Sequence, residues 1–400
     1  MSAPVSLSLS EARWVALQTQ GLGRPWRLPA GKEGAAQVIE RLGFVQIDTI
    51  AVIERAHHHT FWVRRPDYRP AMLETLLAED RRVFEYWAAP AAAYVPMCDY
   101  RWYLPRMLAS RQSNWRSNFE KKHPGLLRAV LQRIEQEGPL GTSDFEAPPG
   151  TKRGKWWDWK PAKEALELLY NGGELMISSR PKFQRRYDLA ERILPQHIDR
   201  RVPTLEEARA FAVRRYLTSH GIVAERDFRV PAHRAVLKEL VAAGAVVTVQ
   251  IEGVATPHYA LPASLKAALR SGSTQRSLHI LSPFDSMAGN RHRLRRLFNF
   301  DYTIECYVPG PKRKYGYFCL PIVWGDRFIG RLDSKAERAE KRYVVHQLYL
   351  EPDVVVDEAL LTALRTRLQD FAAFNGCDHV EVRATSPRSL RKALGGRILA

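Results

Sequence analysis

Three stretches of the chain share one pattern: apolar residues at i, i+3 and i+4, then a glycine, then a short β-rich run. They are VIERLGFVQIDTI (38–50), ALELLYNGGELMIS (165–178) and VLKELVAAGAVVTVQ (236–250). The spacing predicts an amphipathic helix, the glycine a left-handed helix end, and the run a strand. Two copies also share what precedes them. Gly138 stands six residues before Asp144-Phe145, and Gly221 six before Asp227-Phe228. Each of these segments follows an apolar helix, over 126–134 and 208–217, and precedes the next one. Helix, turn, helix, helix, glycine and two-stranded wing is the order of a winged helix-turn-helix. The matched glycine-to-aspartate spacing favours true repeats over chance helix–Gly–strand units. The segment 147–159 reads as a loop inserted in the second copy, and its Trp156, Trp157 and Trp159 as packing residues rather than base-stacking platforms.

Beyond Pro262 the pattern changes. Alternating, aromatic-rich runs over 302–308, 315–322, 327–332 and 343–350 are separated by Pro–Gly and Gly–Asp turns, which predicts antiparallel strands. A helix over 356–375 and a strand over 379–383 follow. The expected fold class is therefore α+β: three tandem winged helix-turn-helix units followed by a C-terminal β-barrel-like domain. The expected boundaries are 1–121, 122–202, 203–262 and 263–400.

Charge narrows the partner. The 400 residues carry 61 Lys plus Arg against 43 Asp plus Glu, a formal +18, with 45% hydrophobic and 10% aromatic content. A chain that apolar builds cores, so the charge does not belong to a disordered tail. Between Ala263 and His346 lie 16 Lys or Arg and 7 Asp or Glu, a net of +9, whereas Glu351 to Ala400 is balanced. Concentrated positive charge on a folded chain points to a polyanion, and nucleic acid fits better than a membrane surface because no basic amphipathic helix is evident. No apolar run is long enough to span a bilayer, and the N-terminus lacks the basic start and apolar stretch of a secretory signal. Cys98, Cys306, Cys319 and Cys377 are scattered. A reduced, cytoplasmic, nucleoid-associated and monomeric protein is expected.

Candidate chemistry lies in the first copy. On a strand, Gln46 and Asp48 of Phe44-Val45-Gln46-Ile47-Asp48 project to one side, about 6.5–7 Å apart, while Val45 and Ile47 face the core. An amide and a carboxylate so placed hold a water: the carboxylate accepts its proton and the amide orients it. By spacing alone such a tripeptide is more often merely solvated.

The run RLGFVQIDTIAVIERAHHHTFWVR (41–64) resembles the AlkZ/YcaQ family of bacterial DNA glycosylases, and in particular its YcaQ-like branch, whose Gln–apolar–Asp motif matches Gln46-Ile47-Asp48. The AlkZ branch has a second glutamine at the last position. The resemblance extends over 281–322 and 330–341, and so across essentially the whole chain. It implies tandem winged helices with a C-terminal β-barrel, and hydrolysis of the N-glycosidic bond of N7-alkylguanine, including unhooking of interstrand crosslinks in double-stranded DNA. It assigns catalysis to Asp48 and Gln46, and a contact with phosphate or lesion to Arg55, His57, His58 and His59, expected on a second strand or turn. No lysine lies in this block to form a Schiff base, which predicts a monofunctional enzyme without lyase activity.

The other candidates concern DNA. If the run from Arg291 is extended, Arg291, Arg293 and Arg295 share a face, and Lys312-Arg313-Lys314-Tyr315-Gly316-Tyr317 reads as a hairpin tip able to lie on the backbone or enter a groove. Asp285 fits a helix cap or an arginine partner rather than a catalyst. Only His57 and His59 would share a strand face, and nothing follows at ligand spacing, so no metal is expected. The absence of phosphate-loop, dinucleotide, nucleophile-elbow and zinc-deaminase motifs leaves no cofactor. The competing readings are a winged-helix DNA-binding regulator without catalysis, for which no effector domain or dimer helix is found, and an RNA-binding module, which lacks the aromatic signature.

Overall fold

The computed structural model describes residues 3–88, 91–145, 160–272, 276–395 and 397–399. The inserted loop and its three tryptophans lie outside them. The fold is mixed α+β, 48% helix and 21% strand. It divides into two compact units, one made of residues 1–30, 41–68 and 212–400, the other of 31–40 and 69–211.

The second unit holds the second copy. The helix Leu126–Glu137 buries Leu127, Val130 and Ile134 at i, i+3 and i+7. A 3-10 turn, Thr142–Asp144, follows, in which the Asp144 carboxylate accepts the Gly141 N–H at 2.8 Å. Next come the helix Lys160–Asn171, Gly173 at φ +69° and an antiparallel pair, Leu175–Ser179 with Arg186–Leu189. Leu140 bridges to Tyr187 and closes the motif. The third copy, most of which lies in the first unit, repeats this order. After the helix Leu205–His220, a 3-10 turn over Glu225–Asp227 is held by the Asp227 carboxylate, which accepts the Ala224 N–H at 2.9 Å. The helix Pro231–Ala242, Gly244 at φ +70° and the hairpin Val247–Ile251 with Val254–Ala260 complete it, and Val223–Ala224 pairs with the outer strand. Val213, Leu217, Val223, Phe228, Leu237 and Val246 form its core. The two aspartates thus occupy the same place: each ties down a turn whose backbone donors no helix satisfies.

In the first copy, the helix Gly31–Leu42 ends at Gly43, φ +84°, and leads into the strand Val45–Gln46. The second strand expected directly after Asp48 does not form, and the next strands in the chain are the antiparallel hairpin Val83–Ala88 with Ala91–Pro96. Residues 47–55 are irregular, and a helix, Ala56–Arg64, takes the place of the second strand.

The C-terminal part is a seven-stranded sheet in the order Leu278–Ile280, Leu320–Trp324, Arg327–Glu337, Arg342–Leu350, His379–Val382 and Arg397–Leu399, with Thr385–Ser386 pairing the fourth of these. Register shifts at Ile322/Val323 and Asp333/Ser334 mark bulges, which raise local twist. The sheet curls into a half-barrel rather than closing. The helix Glu358–Phe374 lies against it, with Phe371 wholly buried. Three expectations fail in this region. Residues 302–308 form no strand: Tyr302 turns inward and donates its hydroxyl to the Cys319 carbonyl at 2.6 Å. Residues 312–317 are no hairpin tip, since a 3-10 turn over Gly310–Lys312 leads into irregular chain. The run from Arg291 is a helix, Arg291–Phe298, capped by the Asn290 side chain on the Arg293 N–H. Leu294, Leu297 and Phe298, at i, i+3 and i+4, are its buried stripe, and the alternation of arginines is incidental.

Candidate active site and nucleic-acid surface

Val45 is buried at the end of the first helix, while Gln46 and Asp48 are half-buried. The strand stops at Gln46, so Asp48 is placed by a local turn in which the Ile50 N–H donates to its Oδ1 at 2.7 Å. Desolvation lifts the Asp48 pKa above the usual carboxylate range, and the Ile50 hydrogen bond only partly offsets it. Beyond Asp48 the chain is pinned to the half-barrel: the Val52 carbonyl accepts the Ala336 N–H at 2.8 Å, and the Glu54 N–H donates to Asn375 Oδ1 at 2.7 Å.

The Asp48 charge reaches the turn at Cys306–Val308. Burial first and the Asp48 charge second raise the Cys306 thiol, and the same charge adds to the effects of Cys306 and desolvation on the exposed Tyr307 phenol. Glu305 organises this loop. Its carboxylate accepts the N–H groups of Lys314, Tyr315 and Gly316 at 2.9–3.1 Å, and Arg313 Nε donates to the Val308 carbonyl at 2.8 Å. Desolvation opposes ionisation of Glu305, but these three donors prevail and hold its pKa below the ordinary value. Glu305→Ala is accordingly expected to speed amide hydrogen exchange at Lys314–Gly316 while leaving the strand Arg342–Leu350 protected, a contrast that exchange mass spectrometry reads. Equal protection in wild type and variant would show that other contacts hold the loop.

The three histidines do not line a strand. They sit in the helix Ala56–Arg64, all nine residues of which are buried. His57 and His59 have no exposed surface, and His58 has 9%. Burial, then the charge of Arg55, pushes the His58 pKa down to about 3, and its Nδ1 lies 2.8 Å from the Tyr68 hydroxyl. Burial lowers His59 to about 4, and its Nε2 lies 2.9 Å from the Ile280 carbonyl. Both rings are neutral near pH 7, and the His59 ring packs tilted against Phe371, centroids 4.6 Å apart. Arg55, half-buried, begins this helix.

The basic residues divide as well. Arg293 is 3% exposed and donates to the Ser286 carbonyl at 3.1 Å. It belongs to the interior. Arg291 and Arg295 point to solvent, the latter pairing with Asp301 at 2.7 Å. Lys312 and Lys314 are exposed and Arg313 is half-buried, its guanidinium over the Tyr317 ring. The structure thus gathers Asp48, Gln46 and the 305–317 loop within one unit and sets His57, His59 and Arg293 inside it. Asp285, read as a cap or an arginine partner, is both: it caps Ser286–Gly289 and pairs with Arg64. Sequence reading missed Glu305 and Tyr307. The signal available was a lone acid and an aromatic just ahead of a basic run. Among the described residues no three His, Cys, Asp or Glu gather as a metal site, and no helix is long and apolar enough to cross a membrane.

Comparison with known proteins supplies the family. A family model described as DNA glycosylase AlkZ-like matches residues 39–374. The solved structure of the Streptomyces sahachiroi DNA glycosylase AlkZ superposes with a TM-score of 0.61, covering 95% of this chain and 100% of that one at 15% identity, which is a likeness of fold. Matched over most of its length, the chain belongs to the AlkZ-like DNA glycosylase family.

Proposed function

We propose that the protein hydrolyses the N-glycosidic bond of N7-alkylguanine in duplex DNA, and unhooks interstrand crosslinks made through that atom, as a monofunctional and monomeric enzyme. The observation that carries this reading is a half-buried carboxylate, Asp48, fixed by the Ile50 N–H two residues from an amide and raised in pKa by burial. Alkylation at N7 makes the purine cationic, so it departs with the electron pair of the C1′–N9 bond and needs no added proton. The sugar is left oxocarbenium-like. Asp48 stabilises that charge and accepts the proton of the water that attacks C1′, while Gln46 orients the water. Arg55, Arg291, Arg295, Lys312, Arg313 and Lys314 hold phosphates, and His58 stays neutral within reach of the Arg55 charge. The repeated helical units, over 122–202 and 203–262, are read as winged helices that position the duplex. A half-buried carboxylate placed by its own turn contributes nothing to phosphate binding, which favours an enzyme over a regulator.

The test is a duplex with an N7-guanine crosslink, incubated with protein and then cleaved with alkali. Abasic product is expected, and its absence removes the reading. Two further outcomes follow. The single-turnover rate is expected to rise with pH along a carboxylate limb displaced above the ordinary value of about 3.9, because Asp48 acts ionised and burial raises its pKa. A rate flat between pH 4 and 7 would exclude that role. Replacing Lys312 or Lys314 by Ala is expected to reduce the slope of log binding constant against log salt by roughly 0.9 per residue, equally for damaged and undamaged duplex.

A further inference from the structure

Tyr307 leaves 80% of its surface open to solvent. An aromatic side chain usually contributes by burying its ring, so one held this open has its apolar faces unused by the fold. Its backbone is held in place. The Val308 N–H closes the turn onto the Glu305 carbonyl at 2.9 Å, the Glu305 carboxylate collects three amides, and Arg313 holds the Val308 carbonyl. The ring therefore stands on a fixed base. It also lies within electrostatic reach of Asp48, whose charge acts on both Cys306 and the phenol.

We propose that Tyr307 recognises the lesion, its exposed ring stacking on a cationic N7-alkylated purine held at Asp48. The face of a phenol ring is electron-rich and attracts a flat cation more strongly than a neutral base of the same size. Stacking alone would accept any base; the positive charge makes the damaged one preferred. Preorganisation by Glu305 limits the entropy lost on contact. The ligand's identity rests on the glycosylase reading above, but the stacking is measurable without turnover.

The experiment compares binding of two duplexes, one undamaged and one carrying N7-methylguanine on a 2′-fluoro sugar that resists hydrolysis. Tyr307→Ala is expected to lower the preference for the damaged duplex by roughly 5- to 30-fold. Affinity for undamaged duplex is expected to change by no more than about twofold, since no phosphate contact is removed. Tyr307→Phe keeps the ring and is expected to restore most of the preference, and Tyr307→Leu, of similar bulk, is expected to fail. Equal preference in wild type and Tyr307→Ala overturns the proposal, and so does a Phe variant as poor as Ala, which would put recognition in the hydroxyl. Base release from the ordinary N7-methylguanine duplex is measured in parallel. Release with an unchanged Tyr307→Ala preference sinks the stacking and spares the glycosylase. Preference without release does the reverse.

Discussion

Asp48→Asn is expected to slow base release from N7-alkylguanine duplex by roughly 10²- to 10⁴-fold, the range for losing a general base or a preorganised counter-charge. Asn keeps the shape and still accepts the Ile50 N–H, so the turn that places the residue survives. What it removes is the negative charge, and with it both proposed functions at once. The same substitution predicts that DNA binding is unchanged or tighter, because a carboxylate near phosphates repels them. Turnover and affinity thus move apart, which simple damage to the fold would not produce. Loss of binding with preserved single-turnover rate would show that Asp48 acts on the duplex and not on the bond. Gln46→Ala is expected to have a smaller effect, roughly 10- to 100-fold, since it orients a water that the carboxylate still activates. The carboxylate limb of the pH profile is expected to vanish in Asp48→Asn and persist in Gln46→Ala.

How much of this was legible varies with the range of the interaction. The glycine-stopped helices and the Asp144 and Asp227 turns are local: a helix end needs a left-handed residue, and an open turn needs an acceptor three residues away. Such signals survive in the order of residues. The strands over 327–337 and 342–350 also announce themselves by alternation. The helix Ala56–Arg64 does not, because His-His-His-Thr-Phe-Trp-Val has the β-branched and aromatic content of a strand. Its helical form is stabilised by burial on all sides, with Trp62 stacked on Phe374 and His59 packed tilted against Phe371, more than three hundred residues away in the chain. The helix Arg291–Phe298 carries two periods at once, and the arginines hid the apolar stripe beneath them. The loop at 305–317 depends on one carboxylate reaching across nine to eleven residues, which no repeat or alternation encodes. For the candidate site, Gln46 and Asp48 were readable as a pair, whereas Tyr307 and Glu305 required the folded loop.

Breaking the ion pair between Arg64 and Asp285 is expected to destabilise the protein by about 3–5 kcal/mol, the range for removing one partner of a fully buried pair. Both side chains have no exposed surface, and two nearly parallel bonds of 2.6 and 3.0 Å join them across 221 residues. The pair links the helix that follows the Asp48 segment to the turn that begins at Ser282. Arg64 further donates to the Gln20 carbonyl at 2.7 Å and the Thr60 carbonyl at 3.0 Å, and Asp285 accepts the Met287 N–H at 2.9 Å. Arg64→Met therefore strands a buried carboxylate, and Asp285→Leu a buried guanidinium. With both replaced, no charge is left uncompensated. The loss should then fall to roughly 1–3 kcal/mol, set by the two carbonyls and one amide left without partners. Urea unfolding at pH 7, followed by far-ultraviolet circular dichroism and by fluorescence to test for a single transition, measures all three variants. A double variant as unstable as the sum of the singles would show that the charges contribute separately. Acid supplies an independent check. Burial would raise the Asp285 pKa, but Arg64 and the Met287 N–H prevail and hold it below the ordinary value. A depressed carboxylate contributes stability that is fully present above its unfolded pKa of about 3.9 and is lost as pH falls through the lower folded value. Wild type should lose stability steeply below pH 4, and the double variant should lose less over the same interval.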